Sequence, residues 1–333
     1  MPMKAIIITD QEEPIQIVEK EKPHPSTGQV LVKLHAAALN RRDQWIREGM
    51  YPGIVFGTTI GSDGAGVVES LGDQVDESWL GKEVILNPNI EWGKNPEVQS
   101  PTYHILGMPS DGTLAEYVVV NVDRLHLKPT HLSWEQAAAL PLGGLTAFRA
   151  AFHHGHAVAD KNVLISGVGG GVAQFAFQFC VAIGANVYVT SGDEHKIEAC
   201  IARGAKGGFN YKDEAWQKEA RSISGGFDLV VDSAGGDQLN DFIKMMRPAG
   251  RIVFYGATNG MPSKLDVFKM FWNQVTIQGS TMGNDEEFSE MIDLVNNYKI
   301  EPIIDSVFPM QDGIAAFDRI KTGVFGKVVI KIQ

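Results

Sequence analysis

Hydrophobic and polar positions alternate along the first third of the chain, which is the pattern of strands that bury one face. Six such segments, separated by turns rich in glycine, lie between Met3 and Val120: KAIIIT, QIVEK, QVLVKLHAAAL, GAGVVESLG, KEVILN and LAEYVVV. We therefore predict a compact antiparallel β domain. Residues 87–112 break the pattern with Pro, Asn and Gly, and include Trp92, Tyr103 and His104. A loop of this length is usually functional or disordered, and its aromatic residues favour a folded lobe near a pocket.

The pattern changes at Ser133, where a helical periodicity begins that is broken at Pro141 and ends near Gly155. Short apolar runs then alternate with helical segments, and the predicted strands are NVLIS, NVYVT, GGFNY, FDLVVDSAG, GRIVFYG and VTIQGS. Helices are expected over residues 194–203 and 238–246. Strands joined by helices indicate an α/β fold, a doubly wound parallel sheet that binds its ligand at the carboxyl ends of the strands.

The pattern of the tail differs from both. Asn284 and Glu287 have the spacing of a capping box, and the residues that follow form one apolar face of a helix. The segments IIDSVFPM and KVVIKI are predicted to be strands that return to the first domain.

Four glycines within five residues, Gly167, Gly169, Gly170 and Gly171, follow the first strand of the α/β region, and a helical pattern follows them. Glycine lets the chain turn sharply and lets phosphate groups approach backbone N–H groups, while the helix N-terminus supplies partial positive charge. The strict G-x-G-x-x-G fingerprint is not met, because Val172 stands where the third glycine should fall. A turn that serves packing alone is the alternative. The second strand at the distance of a βαβ unit favours a dinucleotide site.

The end of that second strand predicts which dinucleotide binds. Sites selective for NAD carry an acidic residue here that binds the ribose 2′-hydroxyl. This chain has Ser191 instead, with Lys196 nearby, and Asp193 falls where the next helix should begin. A hydroxyl and a cation suit a 2′-phosphate, so we predict NADP(H).

Composition excludes several classes of function. The formal net charge of −11 argues against nucleic acid as a partner, since no basic stripe is present. The two cysteines, Cys180 and Cys200, fall in helical patterns, which excludes a disulfide scaffold and predicts buried apolar side chains. Residues 5–8 form the only apolar run near the start, and no membrane span is evident, so we expect a cytoplasmic protein.

The order of these blocks resembles that of the medium-chain dehydrogenase/reductase superfamily, and in particular its zinc-free quinone and enone oxidoreductases. The matching segments cover essentially the whole chain: AAALNRRDQWIREGMYPG, GSDGAGVVESLG, LPLGGLTAFRAA, SGVGGGVAQFAFQ, VYVTSGDEHKIE, NYKDEAW, VVDSAGG, GRIVFYGA and GVFGKVVIKI. The resemblance implies a doubly wound parallel Rossmann sheet and a GroES-like antiparallel β catalytic domain. It implies a catalytic domain over residues 1–124, an NADP(H)-binding domain over 125–279 and a return to the catalytic domain over 280–333.

Zinc-dependent relatives hold a catalytic metal with two cysteines and a histidine. The corresponding positions here are Asn40, Ser62 and Leu142, none of which is a usual zinc ligand, and Asp63 replaces the glutamate that follows the family's histidine. We therefore expect no metal. The run of histidines at residues 153–156 is the other candidate, but adjacent helical side chains point about 100° apart, which disfavours a shared ion.

The resemblance also implies a set of cofactor contacts. Gly167, Gly170, Gly171 and Val172 would face the pyrophosphate, with backbone N–H groups offered by the last three. Ser191, Lys196 and Tyr211 would surround the 2′-phosphate, and Gly256 and Ala257 would line the ribose. The remaining positions fall in blocks that flank the nicotinamide in relatives: Asn40, Thr146, Ser233, Phe325 and Lys327. For each, a packing or turn role is the alternative.

Two residues are candidates for the catalytic work. Tyr51 would be a hydrogen-bond donor or an aromatic wall at the substrate mouth, and Asn40 would orient the nicotinamide or bind the substrate oxygen. Arg41, Arg42 and Arg47 are expected on a solvated face, although an acidic group such as a coenzyme A phosphate could use them.

Without zinc, oxidation of an ordinary alcohol lacks the electrophile that polarises the alcohol oxygen. A conjugated acceptor needs less help, because it spreads the negative charge of the transferred hydride to a distant oxygen. The prediction is NADPH-dependent reduction of a quinone or an α,β-unsaturated carbonyl compound. The alternatives are a zinc-dependent alcohol dehydrogenase with unusual ligands and a structural or regulatory protein that binds NADPH without turnover. The family commonly pairs subunits through the last strand of the dinucleotide sheet, here residues 275–279, so a homodimer is expected.

Overall fold

The structure is a computed structural model and describes residues 2–333. The strands are β1 (Pro2–Ile8), β2 (Ile15–Glu21), β3 (Gln29–Ala38), β4 (Asp63–Leu71), β5 (Glu83–Leu86), β6 (Asn89–Ile90), β7 (His104–Ile105), β8 (Tyr117–Asn121), β9 (Leu125–Leu127), β10 (Asn162–Ile165), β11 (Asn186–Ser191), β12 (Gly207–Asn210), β13 (Phe227–Asp232), β14 (Met246–Phe254), β15 (Thr276–Gly279), β16 (Ile304–Pro309) and β17 (Lys327–Lys331). The α-helices are α1 (Arg41–Arg47), α2 (Trp134–Ala139), α3 (Pro141–Phe148), α4 (Gly171–Ala182), α5 (Glu194–Ile201), α6 (Trp216–Ser224), α7 (Gln238–Met245), α8 (Val267–Asn273), α9 (Asp285–Tyr298) and α10 (Gly313–Ile320). None of the helices within these residues is long and apolar enough to cross a bilayer.

The chain divides into two compact units. Unit 1 comprises the described residues up to Gly143 together with Asn284–Gln333, and unit 2 is Gly144–Gly283. Residues 125–143, which the sequence assigned to the nucleotide-binding domain, lie in unit 1 because β9 extends its sheet, with Leu125 opposite Leu86 on β5. Residues 280–283 lie in unit 2.

Unit 1 is built on a sheet with the order β16-β17-β3-β4-β5-β9, in which β8 also pairs with β3. The pairs are antiparallel except β16 with β17. On β17, Val329 lies opposite Ala38, so the last strand of the chain is part of the sheet of unit 1. The lobe over residues 87–112 is folded, since β6 pairs with β7 and the ring of Trp92 meets that of Tyr103 edge-on at 5.3 Å.

Unit 2 contains a six-stranded parallel sheet with the order β12-β11-β10-β13-β14-β15. The strand order reverses between β10 and β13, which confirms the doubly wound arrangement and places the usual ligand crevice at the carboxyl ends of these two strands. All four residues of β10 are buried, as expected for a central strand covered on both faces.

The structure contains four helices that the sequence pattern did not predict, α1, α6, α8 and α10. Helix α6 buries Trp216, Ala220 and Ser224, and because two of these side chains are small or polar its buried face gives little hydrophobic signal. Helix α8 buries none of its residues, and its exposed phenylalanine and tryptophan side chains hide the helical periodicity. The predicted helix from Ser133 is present as α2 and α3, followed by a π-helical turn over Arg149–His154.

Candidate functional site

Three adjacent strands of unit 1 bring together a cluster of polar side chains. Asn40 follows β3, Asp63 begins β4 and Lys327 begins β17, so the three residues meet at one end of the sheet. The Lys327 ammonium donates to Oδ1 of Asn40 at 2.5 Å and to Oδ2 of Asp63 at 2.9 Å. Nδ2 of Asn40 donates to the same Asp63 oxygen at 2.9 Å. Strand register, rather than any local motif, creates this cluster.

These bonds determine the orientation of the Asn40 amide. An ammonium group only donates hydrogen bonds and a carboxylate only accepts them. The amide oxygen of Asn40 must therefore face Lys327, and its NH₂ group must face Asp63. One hydrogen of that NH₂ group remains for another acceptor, so the arrangement presents a donor whose direction is fixed.

The carboxylate of Asp63 is fully buried and is stabilised by several donors. Its second oxygen accepts the backbone N–H of Leu142 at 2.7 Å, and the side chains of Asp63 and Lys327 are 0% and 4% exposed. A buried ion pair is stable only when further hydrogen bonds satisfy its remaining polar atoms. The N–H of Leu142 and the amide of Asn40 supply those bonds.

A second buried acid, Asp43, lies on the first turn of α1. Its Oδ2 accepts the backbone N–H of Asn40 at 2.7 Å. Burial raises the pKa of Asp43 to about 6, and the negative charge of Asp63 adds to this shift. The positive charges of Arg42 and Lys327 and the hydrogen bond from the Asn40 N–H lower the pKa and so oppose it. Asp43 was missed as a site residue, although its spacing from Asn40 is that of a capping pair and offered a signal.

Arg42 does not lie on a solvated face, which corrects the expectation from charge pattern. Its side chain turns inward and the residue is only 7% exposed. Nη1 donates to Oγ of Ser62 at 2.5 Å and to the Leu106 carbonyl at 3.0 Å. Nε donates to the Tyr51 hydroxyl at 3.3 Å, and the guanidinium carbon lies 4.7 Å from the centre of the Tyr51 ring. Tyr51 is half-buried, and these contacts with Arg42 fix the position of this predicted site residue.

The residues at the family's zinc positions do not fit a zinc ion. Asn40 and Ser62 accept hydrogen bonds from the cations Lys327 and Arg42, and Leu142 has no side-chain donor atom. Two positive charges beside the expected metal position would repel a third. Over residues 2–333, no group of three or more His, Cys, Asp or Glu side chains could hold a metal ion.

The glycine loop of unit 2 has the features of a phosphate site. Gly167 has a φ of 59°, which favours glycine. A Cβ atom on Gly170 would have no atom within 4 Å, so the backbone is open there. Gly170 is also the N-cap of α4 and supplies no side chain to the first N–H groups of that helix, which include those of Gly171 and Val172. These groups are suited to a pyrophosphate.

At the carboxyl end of β11, the structure brings Ser191 and Tyr211 together. The carbonyl of Ser191 accepts the N–H of Tyr211 at 3.2 Å, and a Cβ atom on Gly192 would lie 2.7 Å from the Tyr211 hydroxyl. Asp193 is the N-cap of α5 and accepts the N–H of His195 at 3.0 Å. The prediction that this acid begins the helix is confirmed. Lys196 is half-buried on the first turn of α5.

The ends of β10, β13 and β14 place further predicted residues near each other. A Cβ atom placed on Gly167 would lie 3.5 Å from Oγ of Ser233. A Cβ atom placed on Gly256 would lie 2.5 Å from the carbonyl oxygen of Ser233. The next residue, Ala257, is exposed. Thr146 is in unit 2 and donates to the Met282 sulfur at 3.6 Å. Phe325 and Lys327 belong to unit 1, where the N–H of Phe325 donates to Asp305 at 2.9 Å.

Asp232, at the end of β13, is a buried acid that sequence reasoning missed. It accepts the Ser166 hydroxyl, the N–H of Gly235 at 2.7 Å and the Gln238 amide at 2.7 Å. Burial raises the pKa of Asp232, although the hydrogen bonds from Ser166 and Gly235 oppose the shift. An acid at the carboxyl end of a parallel strand was the available signal. Asp232 holds the loops after β10 and β13 together, and so supports Ser233.

Comparisons with known proteins agree with this architecture. A family model described as Alcohol dehydrogenase GroES-like domain matches residues 26–130, and one described as Zinc-binding dehydrogenase matches residues 171–297. The chain is 35% identical to the zinc-type alcohol dehydrogenase-like protein YogA of Leptosphaeria maculans, over 96% of this chain and 95% of that protein. It is 27% identical to the quinone oxidoreductase of Mus musculus, over 92% of this chain and 90% of that protein.

Two further similarities widen the range of related activities. The crotonyl-CoA carboxylase/reductase of Cereibacter sphaeroides is 29% identical, over 92% of this chain and 80% of that protein. A crystal structure of an NAD-dependent alcohol dehydrogenase superposes with a TM-score of 0.94 and 34% identity, covering 99% of this chain and 100% of that one. The chain therefore belongs to the medium-chain dehydrogenase/reductase superfamily of oxidoreductases.

Proposed function

We propose that this protein transfers hydride from NADPH to a quinone or an α,β-unsaturated carbonyl compound without zinc. The observation that carries the proposal is the cluster of Asn40, Asp63 and Lys327, with Arg42 bonded to Ser62. The positions that bind an electrophilic metal in zinc-dependent relatives are Asn40, Ser62 and Leu142 here, and the cations Lys327 and Arg42 donate hydrogen bonds to the first two. A reaction that depends on metal polarisation of an alcohol oxygen is therefore disfavoured.

A conjugated acceptor suits such a site. The nicotinamide cofactor, when bound, supplies a hydride equivalent from its C4 atom. Negative charge then spreads from the attacked carbon to a distant oxygen, so directed hydrogen-bond donors suffice to stabilise it. The free hydrogen of the Asn40 amide is one such donor, and Tyr51, which contacts Arg42, offers an aromatic surface that suits a planar substrate. Asn40 orients the nicotinamide or the substrate oxygen in this scheme.

The geometry of unit 2 supports NADP(H) over NAD(H). The strand β11 ends at Ser191 rather than at an acid, and the nearest acid, Asp193, is the N-cap of α5. We assign Ser191, Tyr211 and Lys196 to the 2′-phosphate, and Tyr211 is 50% exposed. The glycine loop would hold the pyrophosphate through the first N–H groups of α4.

The proposal is tested by mixing the purified protein and NADPH with a panel of quinones and enones and following the absorbance of NADPH. We expect loss of absorbance that persists after treatment with a chelator. A zinc-dependent alcohol dehydrogenase with unusual ligands would instead contain stoichiometric zinc and oxidise alcohols. A structural or regulatory protein would bind NADPH, as measured by calorimetry, and consume none with any acceptor.

The assembly and location of the protein remain predictions. A homodimer is supported by β15, which lies at the edge of the six-stranded sheet and would otherwise present unpaired backbone groups. The neighbouring helix α8 exposes Phe268, Phe271 and Trp272, an apolar surface that association would cover. Light scattering should give twice the mass of one chain. Cell fractionation should place the protein in the cytoplasm.

A further inference from the structure

Two buried hydrogen-bond donors near the cluster of unit 1 lack acceptors. Nη2 of Arg42 and the hydroxyl of Tyr103 make no hydrogen bond to any residue among 2–333, although both atoms are shielded from solvent. The other nitrogens of Arg42 are all bonded, to Ser62, Leu106 and Tyr51. Nη2 is therefore the one part of an otherwise fixed guanidinium that remains available.

Tyr103 and Arg42 occupy the same part of unit 1. Burial raises the pKa of the Tyr103 hydroxyl, the nearby Tyr51 hydroxyl adds to the shift, and the charge of Arg42 acts against it. The segment that carries Tyr103 also contacts Arg42 directly, because the carbonyl of Leu106, three residues after Tyr103, accepts a hydrogen bond from Nη1 of Arg42 at 3.0 Å. Tyr103 is held in place by the lobe before β7, where its ring packs edge-on against Trp92.

An unpaired buried donor is costly, because its lost contact with water is not replaced. Most buried polar groups in proteins are paired, and an exception requires an explanation. One unpaired atom is explained by a local packing compromise. Two donors from distant segments, one of them charged, are better explained by an acceptor that both can share.

We propose that Nη2 of Arg42 and the hydroxyl of Tyr103 bind the substrate oxygen on which negative charge develops during reduction. This inference rests on the proposed function and adds a recognition site to it. The class of ligand is a carbonyl compound whose reduced form is an enolate or a hydroquinone anion. Ser62, at a position where zinc-dependent relatives have a metal ligand, anchors the guanidinium instead of an ion.

The chemistry at this site is balanced. As a C–H bond forms at the acceptor carbon, the π electron pair moves through the conjugated system to the oxygen, and the cofactor is oxidised by two electrons. The charged oxygen accepts hydrogen bonds from Arg42 and Tyr103, and a proton from solvent completes the product. Hydrogen bonds to charged groups are stronger than those to neutral ones, so the two donors favour the transition state over the neutral substrate.

The variant Tyr103→Phe tests this proposal without disturbing the fold, because the hydroxyl that it removes makes no hydrogen bond in the structure. If Tyr103 only packs, stability and kinetics should be unchanged or slightly improved. If it binds the substrate oxygen, kcat/KM for the acceptor should fall by about 10-fold to 100-fold, while KM for NADPH and the melting temperature stay the same.

Arg42→Lys provides a second test, since it keeps the charge but cannot reproduce the fork of donors. It should reduce kcat/KM for the acceptor by at least as much as Tyr103→Phe. The matched control is Arg47→Gln on the same helix, which removes an arginine paired with the exposed Asp318. That variant should retain the kinetics of the wild type.

A binding measurement separates this inference from the proposed function. The probe is 4-nitrophenolate, an anionic oxygen on a planar ring, titrated by calorimetry into the wild type and Tyr103→Phe. If the wild type binds the probe about 10-fold more tightly than Tyr103→Phe does, the binding site for the substrate oxygen is supported. If in addition no acceptor is reduced, only the proposed function fails. Equal behaviour of the two proteins in both assays, including no binding by either, overturns the inference.

Discussion

Replacing Lys327 by methionine should destabilise unit 1, because it leaves the buried carboxylate of Asp63 without its counter-charge. The change removes two charge-assisted hydrogen bonds, to Asn40 and Asp63, each worth roughly 1.5–3 kcal/mol. Burial of the methionine side chain returns about 2 kcal/mol. The expected net loss in free energy of unfolding is about 3 kcal/mol, in line with the cost of removing one partner from a buried pair.

Urea denaturation followed by circular dichroism measures this loss. The double variant Lys327→Met with Asp63→Asn is the control, since it removes both charges while the introduced amide oxygen can still accept the Leu142 N–H. It should lose about 2 kcal/mol less than the single variant. The reasoning is refuted if the single variant loses under about 1 kcal/mol, or if the double variant is less stable still.

Three further predictions concern other parts of the same structure. The pKa of Asp43 is about 6 in the folded state and 3.8 ordinarily, so between these values the folded state holds a proton that the unfolded state has lost. The free energy of unfolding should therefore fall by about 2–3 kcal/mol as the pH rises from 4 to 6. Denaturation curves of Asp43→Asn should lack this dependence on pH. Ser191→Asp should lower the ratio of kcat/KM for NADPH over NADH by at least about 10-fold, because a carboxylate repels the 2′-phosphate and suits a hydroxyl; an unchanged ratio would contradict the assignment of this corner. Asp285→Ala should lower the free energy of unfolding, measured by thermal denaturation, by about 1–2 kcal/mol. Asp285 accepts hydrogen bonds from both Nη atoms of Arg124 at 2.7 and 2.8 Å, but it is half-exposed and partly screened by solvent. The control Asp123→Ala removes a more exposed carboxylate and should lower the free energy of unfolding by less.

The sequence predicted the elements whose signal is local. The glycines before α4, the capping residue Asp193 and the capping box at Asn284 each determine structure within a few residues of themselves. The strand β17 was predicted because its apolar run matches a buried position between other strands, whereas β16, at the edge of the same sheet, was predicted from its apolar run alone. These features required no knowledge of distant contacts.

The candidate site was predicted only in part, because its contacts are long-range. Lys327 and Asn40 are 287 residues apart, and only the register of β17 against β3 brings them together. Arg42 lies in the polar segment RRDQWIR, whose composition is typical of an exposed helix, yet its side chain is buried because Ser62 and the Leu106 carbonyl satisfy the guanidinium. Such partners belong to other strands and leave no trace in the local pattern.

The discontinuity of unit 1 has a consequence for how the protein forms during synthesis. Unit 2 is a single continuous segment, so its sheet can close as soon as that segment has left the ribosome. The sheet of unit 1 must wait, since β17 lies between β16 and β3 and is translated after all of unit 2. Until β17 arrives, Asp63 has no ammonium partner and no cation fixes the orientation of the Asn40 amide. The nascent chain can thus complete the doubly wound fold of unit 2 before the buried ion pair of unit 1 has formed.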